Sequence, residues 1–314
     1  MSNLKVLVTG GAGFIGSNLV RYLVETGNTV TVLDNFMTGF RRNLDPFPSV
    51  RIIEGDVRNS EDVEQAIAGV EIIFHLAASV GNQRSITNPI QDAEINVLGT
   101  LKVLEAARKE GVRKIVASSS AGIFGELINL PIKEGHPVEP DAPYGCTKLC
   151  EEKLCLAYSR LYNIEAICLR YFNVYGPNQY FDNYGNVIPI FVFRMLREEP
   201  LIIFGDGKQT RDFVHVNDVV QANIKAALTK GISGAFNIAG GKSFTINELA
   251  RLITKNNKNI LIEYGAVRPG DVRHSIADIS EAREKINYYP AVNFYKGIEE
   301  YINWAKDHII FDNK

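Results

Sequence analysis

The 314 residues carry 34 Lys and Arg against 36 Asp and Glu, a formal net charge of -2, and 46% are hydrophobic. This composition supports a sizeable core and excludes a disordered chain. It also leaves no basic field for nucleic acid or an acidic membrane surface, and no apolar run reaches the length of a membrane span.

The opening MSNLKVLVTG enters a strand-like run at once, without the charged, apolar and small-residue pattern of a secretory leader. The expectation is a cytoplasmic protein. LKVLVTG (4–10) reads as a strand, FIGSNLVRYLVETG (14–27) as a helix with a glycine stop, and NTVTVLD (28–34) as the next strand. VRIIEGD (50–56), EIIFHLA (71–77), KIVASSS (114–120) and EAICLRYFNVYG (165–176) continue the strands, with helices expected at about 60–69, 92–110 and 144–162. Apolar strands alternating with helices imply a parallel sheet covered on both faces.

After Tyr175-Gly176-Pro177 the rhythm breaks. GPNQYFDNYGNVIP reads as an ordered loop, followed by a helix at about 188–198, a short strand LIIFGDG, and RDFVHVNDVVQANIKAALTKG as a strand and helix returning to the sheet. The last helix lies in KGIEEYINWAKDH. The expected fold class is α/β: a Rossmann-type doubly wound parallel sheet over 1–175, to which 212–240 return, and a smaller α+β C-terminal lobe from 176–211 and 241–314.

Four cysteines are present, and Cys146, Cys150 and Cys155 crowd one helix apart from Cys168. Cross-linking within a helix is geometrically poor and the spacing matches no zinc pattern, so free thiols and no metal site are expected.

Three groups of residues carry chemistry. Gly10-Gly11-Ala12-Gly13-Phe14-Ile15-Gly16 joins the first strand to the first helix. Gly10 and Gly13 permit a tight turn whose N–H groups face a pyrophosphate, and Gly16 lets the helix approach the strand. Asp34 ends the second strand, where a carboxylate suits an adenosine ribose and repels a 2′-phosphate, which favours NAD over NADP. An ordinary glycine turn with a capping Asp is the competing reading, and the strand–turn–helix context outweighs it. Arg41 and Arg42 lie past the strand end and are expected to be solvated.

Tyr144 and Lys148 share a helix face, where an ammonium stabilises phenolate and lowers the Tyr pKa toward working pH. Ser118-Ser119-Ser120 end an apolar strand, where ligands of open parallel sheets bind. Ser118 and Ser119 are read as a polar strand end or at most a cofactor contact.

TGGAGFIG, GDV, HLAA, SSSA, PYGCTK and RYFNVYGP, in this order, resemble the extended short-chain dehydrogenase/reductase family, and within it the UDP-hexose 4-epimerases. The resemblance implies that Ser120, Tyr144 and Lys148 are catalytic, and that Phe124 replaces the family's usual Tyr without chemical consequence. It places Asn35 with Asp34 at the cofactor, Asp56 and Val57 at adenine, and Leu76, Ala77 and Ala78 along the cofactor channel. Tyr171 and Val174 would flank the nicotinamide, and Asn96 would support the site through the sheet. For the apolar members, plain core packing is the competing reading. It places Asn173, Asn186 and Val187 at the sugar and its phosphate, Phe204 near uracil, and Arg211, Arg268 and Asp271 at the diphosphate and ribose. Ser275, four residues past Asp271, would gate carbon 2 of the sugar, its small size admitting N-acetyl groups.

The implied reaction is transient oxidation at carbon 4 of a UDP-hexose by NAD. A 4,6-dehydratase places Asp-Glu after its catalytic hydroxyl, whereas Ala121-Gly122 follow Ser120. A UDP-glucuronate 4-epimerase or decarboxylase, and a non-catalytic NAD-binding protein, stay as alternatives. The helices at 92–110 and 144–162 would pair with a second copy in a homodimer.

Overall fold

The apolar runs of the first half become strands of one sheet. The computed structural model describes residues 2–182, 185–267 and 272–309. Its strands are β1 (Lys5–Thr9), β2 (Thr29–Asp34), β3 (Arg51–Glu54), β4 (Ile72–His75), β5 (Lys114–Ser120), β6 (Glu165–Tyr171), β7 (Asn173–Tyr175), β8 (Leu201–Phe204), β9 (Thr210–His215), β10 (Gly234–Ile238), β11 (Ser243–Thr245) and β12 (Ile262–Gly265). The helices are α1 (Phe14–Glu25), α2 (Ser60–Ile67), α3 (Asn82–Thr87), α4 (Pro89–Ala93), α5 (Thr100–Glu110), α6 (Pro143–Leu161), α7 (Val187–Leu196), α8 (Val216–Leu228), α9 (Ile246–Ile253), α10 (Ser280–Ile286) and α11 (Phe294–His308).

Seven strands pair in parallel in the order β10-β6-β5-β4-β1-β2-β3. The order reverses between β1 and β4, which makes a switch point at the carboxyl edge of the sheet. Alternation along β1 sends Val6 and Val8 to a core with Leu19 and Leu23 of α1 and Val220 and Ile224 of α8. Leu7 points the other way, to Val63 of α2 and Val103 and Leu104 of α5. A third core gathers Phe191 and Phe193 of α7, Leu249 of α9 and Tyr301 of α11.

Three elements depart from the sequence expectation. The run 165–176 is broken at Phe172: β6 stays in the main sheet and β7 pairs instead with β9. β9 therefore does not return to the main sheet, but centres a three-stranded sheet with β7 and β11. α8 and β10 do return, α8 packing on β5 and β6 and β10 forming the sheet edge. The helix expected over 92–110 is α4 and α5 joined by a π-helical turn, Glu94–Gly99. Among the described residues no helix is long and apolar enough to cross a membrane.

Arg42 is half-buried, unlike Arg41, which pairs at the surface with Glu54. The Arg42 guanidinium lies 4.1 Å from the Phe40 ring centroid and 4.6 Å from that of Tyr180. Tyr180 in turn meets Trp304 of α11 edge-on at 5.1 Å, and Trp304 stacks on His308 at 4.4 Å.

His75, at the end of β4, is fully buried between two hydroxyls. Thr9 Oγ1 lies 2.8 Å from Nδ1 and Thr100 Oγ1 3.0 Å from Nε2. Thr9 Oγ1 already accepts from the Leu76 and Ala77 N–H groups, and Thr100 donates to the Asn96 carbonyl. Thr9 therefore donates to Nδ1 and Nε2–H donates to Thr100, a neutral tautomer with no room for a second proton. Burial, aided by the Lys148 charge, lowers the His75 pKa to about 3. The unfolded chain takes up this proton below about 6.5 and the folded chain does not, so the stability is present above 6.5 and is lost as pH falls toward 3. Removing the imidazole by His75→Gln should therefore narrow the stability gap to wild type by about 2 kcal/mol between pH 7 and pH 5. Urea unfolding of both proteins at the two pH values measures this, and parallel losses would contradict it.

Candidate active site

At the switch point the glycine turn leaves no room for side chains. Gly10 has φ 69°, and a Cβ there would lie 2.8 Å from the Ala77 nitrogen. A Cβ on Gly16 would lie 2.1 Å from the Gly10 carbonyl oxygen, so α1 can approach the turn only as it stands. The first turn of α1, which holds Phe14 and Ile15, follows Gly13 without a side-chain cap or an acid, so its N–H groups suit an anion. Asp34, at the carboxyl end of β2, accepts from the Ala12 N–H at 2.9 Å and the Phe36 N–H at 2.8 Å. These bonds tie β2 to the turn and leave lone pairs on both carboxylate oxygens. Burial raises the Asp34 pKa, against the pull of the two amides.

Beyond β3, Asp56 makes a bidentate pair with Arg58 and accepts from the Asn35 amide at 2.7 Å. The Arg58 bonds lead the lowering of its pKa to about 2. Asp56, Arg58, Asn59, Glu94, Leu98 and Lys102 line a cleft of about 480 Å³. Val57 is core-packed. Leu76 packs on one side of the sheet and Ala77 on the other, with half-buried Ala78 following.

The second half of the site is built by β5 and α6. Pro143 opens α6, where its missing N–H costs nothing and its ring presets φ. Tyr144 and Lys148 follow one turn apart, facing the end of β5. Tyr144 and Ser120 come together over Gly122, where a Cβ would lie 3.3 Å from Ser120 Oγ and 3.6 Å from the Tyr144 ring, and the phenol feels the Lys148 charge. Lys148 Nζ donates to Ser118 Oγ at 3.2 Å and to Glu151 Oε2 at 2.5 Å. Ser118 is thus a contact of the buried ammonium. Ser119 donates to Glu152 Oε2 at 2.8 Å, and Glu152 is paired with Arg170 of β6 at 2.8 Å. Burial raises the Tyr144 pKa, while the Lys148 charge and the nearby Ser120 hydroxyl pull it down. The expected lowering is therefore present in sign but outweighed by desolvation in the protein alone. Burial pulls Lys148 down too, yet Glu151 and Tyr144 carry it above its ordinary value.

Asn96 braces the site by a different route from the sheet that the sequence suggested. It is fully buried, and its amide bonds the Ser79 N–H and carbonyl, Asp92 and Thr147. It locks α6 against the loop after β4, across the helices rather than through the sheet. Phe124 is a core residue against His136 and Phe172.

Tyr171 ends β6 opposite Ser120, with its hydroxyl held by Asn223 of α8. Val174 is buried in β7. Asn173 donates to the Asp212 carbonyl at 3.0 Å, Asn186 precedes Val187 at the start of α7, and Phe204 ends β8. Arg211 Nη1 donates to the carbonyls of Thr210 and Val272 at 2.8 and 2.6 Å. Ser275 is buried, its N–H donating to Thr210. Arg268 and Asp271 lie outside the described residues.

Residues 6–239 match the model of the "NAD dependent epimerase/dehydratase family". The chain belongs to this family. It is 41% identical over 308 residues, 96% of this chain and 99% of the relative, to a putative UDP-glucose 4-epimerase of Methanocaldococcus jannaschii. It superposes with TM-score 0.94 and 36% identity, over 98% of this chain and all of the other, on the UDP-N-acetylglucosamine 4-epimerase of Methanobrevibacter ruminantium in complex with UDP-N-acetylmuramic acid. It is also 32% identical to UDP-glucuronic acid decarboxylase 1 of Arabidopsis thaliana, over 99% of this chain and 72% of that protein. Like the family, the chain is an enzyme with NAD as its cofactor, and the uncapped α1 and the close Gly10–Gly16 approach fit that dinucleotide.

The acids Glu151 and Glu152 were missed in the sequence. Their spacing of three and four residues after Lys148 put them on its helix face and could have found them. Gly16→Ala should weaken NAD binding about tenfold or more, because the added methyl displaces α1 from the turn. Nucleotide released from the purified proteins measures this, and wild-type occupancy in a folded variant would contradict it.

Proposed function

We propose that this enzyme interconverts the 4-epimers of UDP-hexoses, UDP-glucose with UDP-galactose and UDP-N-acetylglucosamine with UDP-N-acetylgalactosamine, through a transient 4-keto sugar. The observation that carries this reading is the meeting of Ser120, Tyr144 and Lys148 at the carboxyl end of β5. Tyr144 as phenolate accepts the proton of the sugar 4-hydroxyl. Ser120, beside Tyr144 over Gly122, orients or passes that proton. Lys148 stabilises the phenolate. When bound, NAD supplies the hydride acceptor and a positive nicotinamide that favours the phenolate. Tyr144 then returns the proton to the oxygen once the keto sugar has turned its other face.

The smaller lobe, from 176–211 and 241–314, would hold the UDP. Arg211 supports this, its guanidinium held by two carbonyls. Ser275 would leave space for a 2-acetamido group. Ala121-Gly122 after Ser120 offers no acid/base pair for eliminating water across carbons 5 and 6. The likeness to the decarboxylase favours a second reading, turnover of UDP-glucuronate on the same scaffold. An intact Ser120, Tyr144 and Lys148 argues against a protein that only binds NAD.

Incubation of the NAD-loaded enzyme with each UDP-sugar, followed by separation and mass analysis, distinguishes these. Epimerisation conserves mass, and loss of carbon dioxide or water would overturn the proposal. Tyr144→Phe should lose activity by roughly a hundredfold or more yet retain NAD. Ser275→Tyr should keep UDP-galactose and lose the acetylated sugars. Failure of wild type and this variant alike on UDP-N-acetylglucosamine, with UDP-galactose turned over, would remove the gate. We also propose a homodimer packed through 89–110 and 143–161, where Ile90, Leu98 and Leu161 are exposed. A monomer at micromolar concentration in sedimentation would exclude it.

A further inference from the structure

Glu151 has no part in the chemistry derived above, yet it is the group nearest the Lys148 charge. Its Oε2 lies 2.5 Å from Nζ, and the two side chains are 1% and 2% exposed. Its other oxygen, Oε1, is buried without a hydrogen-bond partner among the described residues. The neighbouring acid differs: Glu152 is held by two Arg170 nitrogens and the Ser119 hydroxyl. α6 thus buries one carboxylate fully bonded and another that depends on a single ammonium.

We propose that Glu151 is a positioning residue that anchors Lys148 and, by drawing its charge away from Tyr144, sets the pH at which the phenol ionises. The proposal rests on Tyr144 as the proton carrier. With Glu151 ionised, the Lys148–Glu151 pair is neutral overall, and a phenolate on Tyr144 would be a second buried anion beside one cation. With Glu151 protonated, the whole ammonium charge faces the phenol. Burial pushes the Glu151 carboxyl up to about 7, against the pull of Lys148, so both states are accessible near neutrality. The other groups that interact with it are Tyr144, Cys150 and Glu152 on α6 and Cys168 and Tyr171 on β6, none of them a cation. Rising pH therefore ionises Glu151 and thereby opposes ionisation of Tyr144, and the two titrate as a coupled pair.

Glu151→Gln keeps the size and an oxygen for Nζ but removes the charge. The test is near-ultraviolet titration of the Tyr144 phenolate in NAD-loaded protein, as wild type minus Tyr144→Phe, repeated in the Glu151→Gln background. The midpoint should fall by about one pH unit, and the acid limb of kcat on a UDP-hexose should fall with it. An unmoved or raised midpoint overturns the proposal, as does a loss of kcat that is equal at every pH. If the Gln variant does not fold, Glu151→Ala is read in the same direction, since it too removes the carboxylate. A shifted midpoint in a protein that turns over no UDP-hexose would sink the reaction and leave the coupling intact. Turnover with an unmoved midpoint would sink only the coupling.

Discussion

A lysine ammonium kept almost dry is the constraint around which this site is organised. Stripping water from a charge costs several kcal/mol unless other groups replace it. Here Ser118 and Glu151 do so, one from β5 and one from the helix that carries Lys148. The same helix is fastened by its Glu152 to Arg170 on β6, and by Thr147 to Asp92 and Asn96. α6 is thus fixed on two sides. Tyr144, one turn before Lys148, meets Ser120 because neither the helix nor the strand end can shift.

The parallel sheet supplies the other half of the arrangement. Parallel pairing sends the carboxyl ends of β1, β2, β4, β5 and β6 to one edge, so the glycine turn, Asp34, His75 and Ser120 gather there although more than a hundred positions separate the first from the last. The His75 ring, bonded to Thr9 at the end of β1 and Thr100 at the start of α5, spans the two halves of the switch point.

Much of this was legible in the residues. KIVASSS gave β5 to the residue because an unbroken apolar run leads into polar ends, and the Tyr144–Lys148 spacing placed both on one helical face. What escaped was decided by distant partners. Nothing local tells Asn173–Tyr175 to leave the main sheet; β9, about forty residues on, provides the competing edge. For Asn96 the resemblance implied a support of the site, but its partners, Ser79, Asp92 and Thr147, lie on elements that no local pattern joins to the π-helical turn. Arg42 reads as surface charge until Phe40 and Tyr180 close over it.

That last contact has reach. Asn43, next to Arg42, donates to the Ala12 carbonyl inside the glycine turn, as does the Phe40 N–H. Tyr180 joins this corner to Trp304 on the final helix. A relay of rings therefore connects α11 to the backbone of the glycine turn after β1. Removing the Trp304 ring would take away a brace of that turn rather than an ornament of the periphery.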